Sequence, residues 1–221
     1  MARWSRECWR CLMSFLPIVF VVVACTTQTP SFASSGGSNS MQAGQAQQDQ
    51  IARGRFLVIT HDCGGCHVGG SNPAAAGYLA GMRDTTEQFR IGPFITRPKN
   101  LTPDNTTGMG RFTQRQVFNA MRYGLRPEET PDGEITSTTP GQGNFPLHPH
   151  YLAPPMPWMA WRHMSDQDLW AITAYLANGV KPVRNKVADS DGPPDFWASE
   201  MTVKKIGSYP APPYPTANEK R

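Results

Sequence analysis

The 221-residue chain has few apolar residues and few cysteines, and it lacks the motifs of common nucleotide-binding proteins. Apolar residues make up 39% of it, below the roughly 45–50% that is usual. It has no Gly-rich phosphate loop, and its aromatic residues are not interleaved with a basic patch, which argues against nucleotide chemistry and nucleic-acid binding. Five unevenly distributed cysteines are too few for a disulfide scaffold. The charge is nearly balanced, at +4, and says little about partners.

Glycine and proline, by contrast, are abundant. The chain contains 20 Gly and 21 Pro, which predicts long loops and a modest core made of protein alone. We therefore expect a bound group to fill part of the interior.

The N-terminal residues predict an export signal. Arginines precede an apolar run from Leu12 to Ala24, which is shorter than the ~20 residues that span a bilayer. An uncleaved anchor is the alternative. Residues 22–25 resemble the lipobox of bacterial lipoproteins, so residues 1–24 are predicted to be the signal peptide and Cys25 the lipidation candidate. Ordinary cleavage after Ala33 is the other possibility.

Composition divides the remaining chain into three parts. Residues 25–48 are rich in Ser, Gly, Gln and Asn and predict a flexible tether. Residues 49–180 carry the helical patterns and predict one folded domain. Residues 181–221 are rich in proline and charge, which argues against regular structure and predicts a C-terminal extension.

Helices are the predicted elements, and no segment alternates as a strand would. Apolar periodicity predicts three helices, over residues 49–61, 113–123 and 165–178. Thr113 and Gln116 form a capping box, and Ser165 with Asp168 resembles another. Gly179 stands where a left-handed residue would end the last helix. Three short helices with long loops predict an all-α fold wrapped around a large apolar cofactor.

The chemistry-bearing motif is Cys63-Gly64-Gly65-Cys66-His67, a C-x-x-C-H. This pattern is the attachment signature of c-type haem. Two thiols at this spacing can add to the two vinyl groups of one porphyrin, and the following imidazole then lies beneath the iron. Cys63 and Cys66 are therefore the predicted attachment residues, and His67 is a predicted axial ligand.

Two other interpretations of the cysteine pair are weaker. A redox dithiol would follow a strand in a βαβ unit, whereas here a predicted helix precedes the motif and glycines follow it. A structural zinc site would need a second pair of ligands at similar spacing.

Met156 is the candidate for the sixth ligand. It lies within Pro154-Pro155-Met156-Pro157, a loop that proline restricts, just before the last predicted helix. Thioether sulfur is a soft ligand that favours the ferrous state. Competing methionines are Met109, Met121, Met159 and Met164. A bis-histidine alternative would use one of His61, His148, His150 and His163.

Residues 54–183 resemble a class I c-type cytochrome domain, closest to the haem domains of cytochrome subunits that serve bacterial membrane-bound dehydrogenases. The matching stretches include Gly54-Arg55-Phe56-Leu57, Asn100-Leu101-Thr102-Pro103-Asp104, residues 118–124 and the Pro-Met-Pro around Met156. The resemblance implies a mainly helical cytochrome c fold whose first and last helices cross, with one covalent haem c between His67 and Met156. Such subunits usually carry three attachment motifs and this sequence carries one, so a single-haem carrier is expected.

The resemblance also implies contacts around the haem. A backbone carbonyl should hold the other ring nitrogen of His67, and Pro73 is a candidate. Asn100 and Thr102 stand in the loop that such cytochromes place near the propionate edge, although a turn-forming role fits them equally. Candidate propionate donors are Arg97, Arg111, Arg122, Trp158 and Trp161.

The expected function is one-electron transfer, because a six-coordinate iron has no open position for substrate. The expected donor is a dehydrogenase or quinol-oxidising complex, and the acceptor an oxidase or another cytochrome, at the periplasmic side of a bacterial membrane. A haem peroxidase or gas sensor with a labile Met156 is the alternative, and an exported thiol oxidoreductase is the third possibility.

Overall fold

A computed structural model describes residues 36–82, 88–193 and 195–221 of the chain, with side chains of the first helix from residue 40. The predicted signal peptide, Cys25 and Ala33 lie outside these residues. Six α-helices and one short hairpin are seen in the part described: α1 Gly36–Thr60, α2 Cys63–His67, β1 Phe89–Ile91, β2 Phe94–Thr96, α3 Gln114–Tyr123, α4 Trp158–Trp161, α5 Asp166–Asn178 and α6 Val203–Ile206. The predicted all-α class is confirmed. None of these helices is both long and apolar enough to cross a membrane.

Helix α1 begins at Gly36, well before the start expected at Asp49. Residues 36–48 were expected to belong to a flexible tether, yet they continue the helix, and the side chains of residues 40–50 are exposed. Gln and Ala are good helix formers, and adding a residue to an existing helix costs far less than nucleating one.

Helices α1 and α5 pack against each other at Gly54. A Cβ at Gly54 would lie 2.7 Å from Cβ of Tyr175, so only glycine lets the two backbones approach this closely. Leu57 and Val58 of α1 and Leu169 of α5 are buried around the contact. This pair is the crossing that the resemblance implies between the first and last helices of residues 54–183, and α6 lies beyond it in the C-terminal extension.

The predicted capping of α3 is confirmed, and that of α5 is half right. Thr113 accepts from the N–H of Gln116, whose side chain in turn accepts from the N–H of Thr113. Ser165 accepts from the N–H of Asp168 at 3.1 Å, but the Asp168 carboxylate pairs with Arg53 of α1 instead. The left-handed conformation expected at Gly179 is wrong, because its φ is −102°.

The hairpin was not predicted. Its two strands are antiparallel and three residues long, and Gly92, with φ of 55°, lies in the turn between them. Strands this short carry too few residues for alternation to be visible in the sequence. Ile95 also pairs with Asp191, so the C-terminal extension adds to the edge of this hairpin.

The C-terminal extension packs against the helices. Trp197 and Met201 are buried in the same hydrophobic cluster as the helices, and the Trp197 ring lies 5.1 Å from that of Phe94. Tyr209 lies against Trp158, with ring centroids 6.4 Å apart. Phe196 and Tyr214 remain largely exposed.

Candidate haem site

Helix α2 places the attachment motif directly after α1. Asp62 adopts a left-handed conformation, with φ of 51°, and separates the two helices. Cys63 and Cys66 then stand about one helical turn apart, on neighbouring positions of the same face. A Cβ at Gly64 would crowd the ring of Tyr78 at 3.0 Å, so the first spacer residue is glycine because later chain packs onto the motif.

His67, the predicted axial ligand, has a buried ring with one nitrogen already bonded. Its ring is buried, and Nδ1 donates to the backbone carbonyl of Lys99 at 2.6 Å. This bond leaves the lone pair on Nε2, the nitrogen free to bind iron. Burial lowers the pKa of His67, so the imidazole is neutral at pH 7, as a ligand must be.

The acceptor is a backbone carbonyl, as expected, but the residue predicted for it was wrong. Lys99, 32 residues beyond His67, takes the place assigned to Pro73. Residues 69–80 fold into consecutive turns against α2, and the carbonyl that accepts from the His67 ring follows only after the hairpin.

Cys63 is poorly suited to dithiol chemistry. Burial raises the pKa of the Cys63 thiol to about 11. Reactive cysteines have lowered pKa values, because the thiolate is the nucleophile. Helix α1 also precedes the motif, and the described residues contain no βαβ unit.

Met156 lies in a tight turn before α4. Its N–H donates to the Ala153 carbonyl at 2.9 Å, and its own carbonyl accepts from the Trp158 N–H at 2.8 Å. Met156 is partly buried and packs against the hydrophobic cluster that Cys63 also contacts. Met109, Met159 and Met164 contact this cluster too, so the choice of Met156 stays a prediction based on its prolines.

The four histidines of the bis-histidine alternative are either exposed or bonded to other groups. His61 is exposed, and its Nδ1 lies 2.9 Å from the Leu57 carbonyl of its own helix. His148 and His163 are exposed. His150 pairs with Glu129.

Among the predicted propionate donors, the arginines have partners, although the buried Nε–H of Arg97 has none in the described structure. Arg122 bonds to Asp166 and to two backbone carbonyls, Arg97 pairs with Asp191, and Arg111 with Glu128.

Trp158 differs from them. Its side chain is fully buried, and its Nε1–H is without a hydrogen-bond partner within the described structure. The buried hydroxyl of Tyr209, whose ring stacks on Trp158, is also unpartnered there. Buried donors of this kind need an acceptor. A haem brings two carboxylates, so these residues fit the group. Trp161 is buried one turn further along α4.

Asn100 and Thr102 hold a turn. The Asn100 side-chain oxygen accepts from the N–H and hydroxyl of Thr102 at 2.9 and 2.8 Å. Its amide donates to the Val183 carbonyl at 2.8 Å. Both residues are buried and committed to this network, which supports the turn-forming role.

The model of the cytochrome c family matches residues 51–179. The chain therefore belongs to the cytochrome c family, and its cofactor is covalently bound haem c. That match includes α2 with its C-x-x-C-H, the Met156 loop and the α1–α5 contact.

Similar proteins are cytochrome subunits of dehydrogenases. The chain is 31% identical over 144 residues to the fructose dehydrogenase cytochrome subunit of Gluconobacter japonicus, covering 62% of this chain and 23% of that protein. It is 30% identical over 158 residues to the gluconate 2-dehydrogenase cytochrome c subunit of Pantoea cypripedii, covering 71% and 29%. The cytochrome c subunit of the quinone-dependent alcohol dehydrogenase of Gluconacetobacter polyoxogenes is 28% identical over 177 residues, covering 80% and 31%. The chain thus spans less than a third of the length of these relatives.

Proposed function

We propose that this chain carries single electrons on one haem c, attached to Cys63 and Cys66 and ligated by His67 and Met156. The proposal rests on His67, which follows directly after the second cysteine. Its ring is buried, and Nδ1 bonds to the Lys99 carbonyl. The sequence contains one C-x-x-C-H, which supports one haem per chain.

The haem supplies an iron that exchanges one electron. His67 contributes a neutral imidazole nitrogen of fixed orientation. Met156 contributes a thioether sulfur, which favours the ferrous state and raises the reduction potential. The neighbouring prolines restrict the loop beforehand, so less entropy is lost when the sulfur binds. With both His67 and Met156 bound, the iron would keep no open position for a substrate.

The relatives support the kind of partner. Because they are named as cytochrome subunits of dehydrogenases, we infer that the donor is a dehydrogenase or quinol-oxidising complex. The acceptor is then an oxidase or another cytochrome.

The N-terminal residues support a location on the periplasmic side of a bacterial membrane. Lipidation at Cys25 would hold the domain at the bilayer and raise the effective concentration of its partners. Mass spectrometry of the mature N-terminus distinguishes a lipidated Cys25 from cleavage after Ala33, and Cys25→Ser is the control variant.

The test uses purified protein exported by a cell that attaches c-type haem. We expect one haem per chain that acid-acetone does not extract, a low-spin spectrum with a sulfur-to-iron charge-transfer band, and no carbon monoxide binding at neutral pH. Extractable haem, or no haem, would refute the assignment. Ready carbon monoxide binding would favour the peroxidase or gas-sensor alternative.

A further inference from the structure

The C-terminal extension lies against both backbone segments that contact His67. One segment is residues 79–82, and the other is residues 97–102, which contains Lys99. Residues 183–191 of the extension bond to both segments. The segments lie within the family match, whereas residues 183–191 lie beyond its end at residue 179.

Residues 79–82 join the extension to the backbone of the haem motif. The Gly81 N–H donates to the carbonyl of His67 itself at 3.1 Å, and the Leu79 N–H donates to the Val68 carbonyl at 2.9 Å. From the other side, Nδ2 of Asn185 lies 2.8, 3.3 and 3.1 Å from the carbonyl oxygens of residues 80, 81 and 82. One amide nitrogen is thus within hydrogen-bonding distance of three successive backbone carbonyls.

The same segment supports the carbonyl that His67 bonds to. The Met82 N–H donates to the Pro98 carbonyl at 3.0 Å, and the Leu101 N–H donates to the Leu79 carbonyl at 2.8 Å. Gly81, with φ of 77°, lies directly on the Lys99–Asn100 peptide, where an added Cβ would be 2.7 Å from the Lys99 oxygen. The hydrogen bonds of Pro98 and Leu101 and the close contact with Gly81 therefore fix the position of Lys99.

The extension also holds residues 97–102 directly. Arg97 pairs with Asp191 at 2.6 Å, and Nζ of Lys99 donates to the Ala188 carbonyl at 2.9 Å. The Asn185 N–H donates to Oγ1 of Thr107 at 3.0 Å, and that hydroxyl oxygen lies 3.1 Å from the Asn100 amide.

We propose that Asn185 is a positioning residue for His67. It acts through residues 80–82 and Lys99, and it holds the Lys99 carbonyl at the distance that fixes the ring and its electron donation. This inference rests on His67 being the iron ligand, as in the proposed function.

The expected consequence is a change in reduction potential. A carbonyl that accepts from Nδ1–H increases the basicity of the imidazole, which favours ferric iron. If the Lys99 carbonyl moves away from Nδ1, the imidazole donates less electron density to the iron, and the ferrous state becomes more stable relative to the ferric state. Loss of the Asn185 amide should therefore raise the midpoint potential.

The test compares two isosteric variants of the full-length holoprotein. Asn185→Leu removes the amide donor and adds no charge that would itself shift the potential. Asn119→Leu is the matched control, because the Asn119 amide donates to the Pro131 and Gly133 carbonyls, which contact neither segment. Both variants should unfold more easily than the parent protein.

Only Asn185→Leu should also raise the midpoint potential in spectroelectrochemical titration and speed amide exchange at residues 81, 82 and 101. We expect about a tenfold change in the ratio of the two redox states, which is 59 mV for one electron. Equal potentials in both variants, or equal shifts, would overturn the proposal.

Thr107→Val is the second variant and tests the same connection more mildly, through the Asn185 N–H. If Asn185→Leu yields no holoprotein, a rise in potential with Thr107→Val supports the proposal, and an unchanged potential refutes it. A failure of the proposed function is distinguishable, because it would appear in the spectrum of the parent protein.

Discussion

The two predicted axial ligands are held in different ways. His67 is buried, and contacts from distant parts of the chain hold its ring and backbone, including the Lys99 carbonyl and Gly81. Met156 is partly buried, and its backbone hydrogen bonds join it to Ala153 and Trp158, within three residues. Proline fills the rest of its loop. The His67 side thus depends on tertiary structure, whereas the Met156 side depends on local chain stiffness.

This difference indicates which ligand should yield first. Displacing His67 requires breaking contacts with several segments, and opening the Met156 loop breaks short-range bonds only. Local opening is easiest where few long-range contacts exist. We therefore expect perturbations to release the methionine sulfur before the imidazole.

The largest effect is expected on the His67 side, from the loss of haem attachment. Cys63→Ala with Cys66→Ala leaves no thiol in the described part of the chain. We therefore expect a complete loss of covalent haem, measured after acid-acetone extraction. A variant of the exposed Met41, Met41→Ala, should retain all of its haem. Haem that stays covalently attached to the double variant would contradict the site.

The next effect concerns the Met156 side. Met156→Ala should abolish the sulfur-to-iron band, lower the midpoint potential by more than about 59 mV, a tenfold change, and allow carbon monoxide to bind. Met159→Ala, three residues further on, is the control. It should keep the band and the potential of the parent protein and should not bind carbon monoxide. The reverse pattern would assign the ligand to Met159.

A smaller effect should follow from disturbing the support of the Met156 loop. Gly124 has φ of 67°, its carbonyl accepts from Leu152, and a Cβ there would overlap the Trp158 ring. Gly124→Ala should lower the free energy of unfolding by about 3 kcal/mol, through strain and overpacking together. Gly70→Ala is the matched control, with φ of 56° but open space, and should cost about 1 kcal/mol. Equal losses in chemical denaturation would show that Trp158 adapts.

The smallest effect tests the unpartnered Trp158 N–H. Trp158→Phe removes the donor, and a carboxylate that loses a hydrogen bond has a raised pKa. The pH at which the midpoint potential begins to change should therefore move upward, with a shift in potential below about 59 mV. Trp161→Phe is the control. If only Trp161→Phe moves the pH profile, the donor is misassigned.

Local signals in the sequence were sufficient where the structure is local. The Thr113 capping box, the start of α5 after Ser165 and the C-x-x-C-H all depend on residues within five positions of one another. The resemblance to cytochromes supplied the crossing of the first and last helices, which Gly54 makes possible.

What the sequence did not reveal depends on long-range contacts. Lys99 could not be identified as the acceptor for His67, because an unremarkable backbone carbonyl carries no residue signature. Gly179 follows the same composition rule as Gly124, but only Gly124 adopts the left-handed conformation. The extension was recognised by its prolines, whereas the burial of Trp197 depends on the unpredicted hairpin.

The hydrogen bonds of Asn185 also set an order of events during biosynthesis. Its side chain bonds to Ala80, 105 residues earlier in the chain. An exported chain that crosses the membrane from its N-terminus would present Cys63 and Cys66 to an attachment enzyme before Asn185 arrives to close over their neighbourhood.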